Sequence, residues 1–180
     1  MTKENIGLKW EYAPSPEATD HAKINKQYEL FINGKFTKRQ KEVYNAVLHV
    51  MKEATKMLLP GNTFEKYNKA VGELMTEQLL KLNLLKPEDV KNQNPNWPAF
   101  KKYFMHGTSH FLGLDVHDVG FFHEPMQAGN VFTVEPGIYI PQENLGIRLE
   151  NNILITTTGQ LDLMKNIPLE ADEIEALMNK

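Results

Sequence analysis

His106, His110 and His117 crowd into one segment, His106-Gly-Thr-Ser-His110-Phe-Leu-Gly-Leu-Asp-Val-His117-Asp118-Val-Gly120. Two carboxylates follow on separate extended stretches. Glu135 lies in Val131-Phe-Thr-Val-Glu135-Pro136-Gly137-Ile-Tyr139-Ile140, and Glu150 closes Gly146-Ile-Arg148-Leu-Glu150. An imidazole and two carboxylates gathered from separate segments are nitrogen and oxygen donors that suit a divalent ion. Histidines close by that can exchange hydrogen bonds are what metal-assisted hydrolysis needs beside such an ion. A lone histidine is more often a hydrogen-bonded structural residue. Three at this spacing, with Asp118 flanking the last, point to a site.

The backbone under these residues decides what they can reach. On a helix, His106 and His110 would share a face as the histidines of a zinc-protease motif do. Gly107, Thr108 and Ser109 between them, with no glutamate beside the first histidine, favour an extended or turning chain instead. Residues i and i+4 of an extended strand also point the same way, so both imidazoles can line one cleft wall. Alternation puts Val131, Thr133 and Glu135 on one side of their strand, with Phe132 and Val134 on the other. A carboxylate ending so apolar a strand is costly to bury unless something positive receives it. Arg148 and Glu150 face one way, and Ile147 and Leu149 the other. Pattern alone leaves open whether that polar side belongs to a site or is the solvent face of an antiparallel sheet.

Helices come first among the elements that must hold this segment. Thr37 and Gln40 form a capping box, and Val43, Val47, Met51 and Ala54 continue it as an apolar stripe. That helix is predicted to stop at Leu59-Pro60-Gly61. Asn62 with Glu65 is read as a second cap, opening a helix through Tyr67, Val71, Leu74 and Leu79 that ends near Leu82 or Leu85. Pro87–Asn92 is predicted to be one short helical turn. Later the pattern turns extended. Strands are predicted at 131–140 and 147–156, joined through Pro141-Gln-Glu-Asn-Leu-Gly146, with a further hairpin around Gly159. Residues 169–178 read as a terminal helix with acidic residues toward its start. Earlier, 9–12 and 28–32 read as short strands. Helices followed by a sheet make the class α+β.

The totals narrow the functions available. A chain of 180 residues is a single domain by length. A net charge of -3 with both signs interspersed implies neither nucleic acid nor an anionic membrane as partner. With no cysteine, thiolate ligands, disulfides and a cysteine nucleophile are excluded together. No apolar run approaches membrane-spanning length, and the expected setting is the cytoplasm.

The string His106 to Gly120, then Glu135-Pro-Gly-Ile-Tyr139, then Gly146-Ile-Arg148-Leu-Glu150-Asn, closely resembles the C-terminal half of the Xaa-Pro aminopeptidase (aminopeptidase P) family. The likeness runs from about Asn33 to the C-terminus, so the chain divides into an undefined segment 1–32 and a domain 33–180. The resemblance implies a partial pita-bread fold, with a curved antiparallel sheet covered by helices. It implies a metallopeptidase that removes an N-terminal residue preceding proline, from peptides with proline in second position. By the same resemblance His110, Glu135 and Glu150 are metal ligands, and Glu135 is also a proton shuttle. His106 and His117 bind substrate and stabilise its carbonyl oxygen as it gains charge, while Tyr139 and Arg148 support the ligands. Manganese is the implied ion, with cobalt or zinc in related sites.

This sequence departs from the family at the two remaining ligands, aspartates on a hairpin upstream of Asn33-Gly34. Asp20 is the only aspartate before Asp89, and His21 and Glu29 have no context that recommends them as replacements. Counting donors, one ion keeps His110, Glu135 and Glu150, while a second keeps Glu150 alone, which cannot hold a hard cation against water. The expectation is a truncated or degenerate relative, with at most one weakly held ion and little or no peptidase activity. Its rivals are a non-catalytic pita-bread module that binds peptides or proteins, and a gene fragment. Without the upstream hairpin a sheet edge would be exposed, to be covered by residues 1–32 or by a second copy in a homodimer.

Overall fold

The structure is a computed structural model that describes residues 34–179. The expected strands at 9–12 and 28–32, the covering role of 1–32, and Asp20, His21 and Glu29 lie outside the described residues.

Helix α1 (Lys38–Met57) starts as predicted. Thr37 Oγ1 accepts from Gln40 N–H at 3.2 Å, and Gln40 Oε1 accepts from Thr37 N–H at 2.8 Å. The stripe Val43, Val47, Met51 and Ala54 is fully buried, joined by Val50 on the same face. The chain then turns at Gly61, whose φ of +85° suits a residue without Cβ.

Helix α2 (Phe64–Lys81) corrects the predicted cap by one residue. Thr63, not Asn62, is the N-cap and accepts from Lys66 N–H, while Asn62 donates its side-chain amide to the Met57 carbonyl. Both residue types satisfy free helix-end groups, so Asn62 closes the first helix and Thr63 opens the second. Helix α3 (Pro87–Lys91) is the predicted short turn.

The strands are not continuous as expected. The first breaks into β1 (Val131–Val134) and β2 (Gly137–Ile140), and the second into β3 (Leu145–Arg148) and β4 (Asn151–Ile155). Both break at one level. Val134 pairs with Asn151 and Gly137 with Arg148, leaving Glu135-Pro136 opposite Leu149-Glu150. Pro136 has no N–H to give the ladder, and only its carbonyl is used, accepting from Leu149 N–H at 3.3 Å. A left-handed Asn144 turns β2 into β3. The hairpin around Gly159 adds β5 (Gln160–Asp162), so one sheet runs β1-β4-β5 and the other is the β2-β3 pair.

One apolar core joins the two helices to these strands. Tyr67, Met75 and Leu79 of α2 and the α1 stripe pack with Phe132, Val134, Ile138, Ile153 and Ile155. A smaller cluster of Tyr44, Leu48 and Ala171 seats the terminal helix α4 (Ala171–Met178) on α1. Among the described residues no helix is long and apolar enough to cross a membrane.

Candidate metal and peptide site

The segment from Thr108 to Leu112 runs beside β1 as an extra, irregular strand. Glu135 N–H donates to Thr108 O at 2.8 Å, Thr133 N–H to His110 O at 3.1 Å, and Leu112 N–H to Val131 O at 3.0 Å. This is the extended backbone expected of Gly107-Thr108-Ser109. From behind, the buried Tyr67 hydroxyl of α2 meets Ser109 Oγ at 2.8 Å. Burial pushes that hydroxyl's pKa well above the ordinary tyrosine value, so it stays a neutral hydrogen-bonding group.

His110 and Glu135 are thereby brought face to face, with Nε2 3.1 Å from Oε1. His110 Nδ1 lies 2.8 Å from the Phe111 carbonyl oxygen, which can only accept, so Nδ1 carries a proton. Nε2 and a carboxylate oxygen, both electron-rich, then converge on one point. Such a point asks for a cation, either a second proton on the ring or a metal ion. Glu135 is 8% exposed, and its other oxygen is 3.5 Å from Arg148 Nη1. Arg148 is thus a positive partner of the kind a buried carboxylate requires.

The other expected residues make contacts of their own. His106 Nδ1 donates to the Gly107 carbonyl at 2.7 Å, so in the neutral ring Nε2 accepts from Tyr139 O–H, 2.8 Å away. The His117 ring stands edge-on to that of His110, with centroids 4.3 Å apart, on an exposed loop. Asp118 organises that loop rather than the site: its carboxylate accepts from Leu114 and Val119 N–H at 2.9 and 2.8 Å. Glu150 is exposed at the strand break. Among the described residues no three histidine, aspartate or glutamate side chains gather closely enough to hold a metal ion.

The donors present thus fit one edge of a divalent site. His110 and Glu135 have the right chemistry and convergence, but the described residues do not surround an ion. Sequence reasoning passed over Ser109 and Thr133. The second stood on the same strand face as Glu135, and its hydroxyl in that position was the available signal.

Comparison with known proteins identifies the family and the fold. The profile of metallopeptidase family M24 matches residues 26–157. The Xaa-Pro aminopeptidase of Haemophilus influenzae is 39% identical over 161 residues, which are 82% of this chain and 37% of that protein. The Xaa-Pro aminopeptidase of Escherichia coli is also 39% identical, with 82% of this chain and 36% of the relative covered. The chain therefore spans little more than a third of the length of these curated relatives. Among solved structures, zinc-substituted E. coli aminopeptidase P in complex with product superposes with a TM-score of 0.72. That match has 39% identity and covers 81% of this chain and 35% of that one. The same enzyme with the inhibitor Pro-Leu matches equally, with a TM-score of 0.72. The architecture is that of the pita-bread aminopeptidases, and the chain belongs to metallopeptidase family M24.

Proposed function

We propose that this chain carries one wall of an Xaa-Pro aminopeptidase site, with His110, Glu135 and Glu150 as its share of the metal ligands. The observation that carries the reading is the convergence of His110 Nε2 and Glu135 Oε1 at 3.1 Å while Nδ1 is committed to a carbonyl. A divalent ion, manganese or else cobalt or zinc, would polarise a scissile carbonyl and make water a better nucleophile. The protein's own residues do the rest. Glu135 is the carboxylate assigned to take a proton, with Arg148 beside its second oxygen. His106, whose ring nitrogens meet the Gly107 carbonyl and the Tyr139 hydroxyl, and His117, beside His110, are the imidazoles assigned to a peptide whose second residue is proline, and His106 would exchange one of those bonds to reach it. In this reading the setting is cytoplasmic.

Assayed as this 180-residue chain, the protein is expected to hold at most one ion weakly and to hydrolyse Xaa-Pro peptides slowly or not at all. The exposed position of Glu150 supports that expectation, since three donors at most, one of them exposed, compete poorly with water for a hard cation. It equally supports a second reading, a module that binds peptides without cleaving them. Metal analysis after manganese loading, paired with an Xaa-Pro hydrolysis assay and peptide binding, separates the two. Two ions per chain with rapid turnover would contradict the expected weakness. Peptide binding without turnover would favour the module. Among the described residues β5 lies at the edge of its sheet, and a homodimer paired there is checked by sedimentation.

A further inference from the structure

We infer that Thr133 is the positioning residue that holds His110 and Glu135 in register with one another. The residue is 1% exposed, and its side chain lies between the two. Thr133 Oγ1 accepts from His110 N–H at 3.1 Å and lies 3.4 Å from Glu135 Oε1. A hydroxyl has one proton and two lone pairs. With a lone pair taken by the His110 amide, the proton is free for the carboxylate, which can only accept. That oxygen is the one facing His110 Nε2 at 3.1 Å. The Thr133 main chain adds a third tie, donating to His110 O at 3.1 Å.

The residue type follows from the position. On the face that β1 shares with Glu135, valine would fill the same space but satisfy neither neighbour. Serine would satisfy both and lose only the methyl group. Groups that orient metal ligands from behind are commonly worth 10- to 100-fold in metal affinity, so Thr133 is expected to act at about that level. This affinity effect rests on the metal reading above. The hydrogen bonds to His110 and Glu135 do not.

The test compares Thr133→Val and Thr133→Ser in the whole chain. Valine is favoured in strands, so the first variant is expected to fold, with a melting curve as the check. Residue-resolved amide exchange should show the His110 amide exchanging about 10-fold faster or more in Thr133→Val, with Phe132 and Ile153 unchanged. Thr133→Ser should match the parent. Manganese titration followed by electron paramagnetic resonance should show weaker binding in Thr133→Val by about 10-fold, restored in Thr133→Ser. An unchanged His110 amide in Thr133→Val would overturn the inference. So would faster exchange along all of β1, which would mean a packing role, or a serine variant that behaves like valine. If the parent binds no manganese, the metal reading fails, and the amide exchange still decides the role of Thr133.

Discussion

Glu135 and Glu150 stand at the same interruption of the same pair of strands, yet they live in different surroundings. Glu135 is buried beside His110, Arg148 and Thr133, with its own N–H given to the Thr108 carbonyl. Glu150, across the break, is exposed. The difference comes from what flanks each strand. The segment Thr108–Leu112 lies along β1 and closes over Glu135, while the side chain of Arg148 reaches across from β3 to the same carboxylate. A carboxylate becomes a structural and chemical element only where neighbours replace the water it loses.

The sharpest way to break that contrast is to remove each carboxylate. Glu135→Ala leaves the buried Thr133 hydroxyl and the His110 ring facing a gap and is expected to cost about 1–3 kcal/mol, as for buried polar groups deprived of a partner. Glu150→Ala should leave the urea midpoint unchanged. Equal effects in urea denaturation would mean that the two sites are alike after all.

A smaller effect is expected from behind the site. Tyr67→Phe removes the buried hydroxyl that meets Ser109 Oγ and should cost about 1 kcal/mol, the net worth of a typical hydrogen bond. If the His106–His110 segment depends on that anchor, amide exchange should quicken at Ser109 and His110 but not at Glu150.

The smallest effects belong to exposed pairs far from the break. Arg39 donates to both Glu143 oxygens at 2.7 and 2.8 Å and holds that carboxyl below its ordinary value of 4.5. Lys41 hydrogen-bonds Glu175 and does the same there, with help from the Phe36 amide. Lys41 also pairs with Asp172, and Lys52 with Glu170, so exposed charge pairs supplement the apolar seat of α4 on α1. A carboxylate whose folded pKa is lowered stabilises fully above its unfolded value, and that contribution is lost as pH falls through the folded one. Acid below about pH 4.5, or high salt, should therefore loosen α4 and the β2-β3 turn slightly before the core responds. Circular dichroism at stepped pH with and without salt would check this. Loosening on the alkaline side of neutrality would contradict the sign.

Much of the scaffold around this contrast was legible in the sequence, because it rests on local chemistry. The Thr37–Gln40 box, the α1 stripe and the extended path of Gly107-Thr108-Ser109 each follow from residue types a few positions apart. Pro136 was visible too, but a run rich in β-branched residues hides a break, since period-2 patterning is the same on both sides of it. Adjacent cap-forming residues, Asn62 and Thr63, left the α2 start ambiguous by one position. The unequal burial of Glu135 and Glu150 could not be read at all. It depends on which strand lies beside the His106–His110 segment, a tertiary fact with no local signal. Asp118 was misleading for the opposite reason: an aspartate beside a histidine suits a site, but here it serves its own loop's amides.

The most direct test of the His110–Glu135 corner is zinc titration followed through the ring nitrogens of His110 by nuclear magnetic resonance. Zinc is diamagnetic and takes imidazole and carboxylate donors. The expected result is a shift of His110 Nε2 to a metal-bound position while Nδ1 keeps its proton, with the shift lost in Glu135→Gln. A His110 signal that ignores zinc, or that responds equally well without the Glu135 carboxylate, would contradict the account.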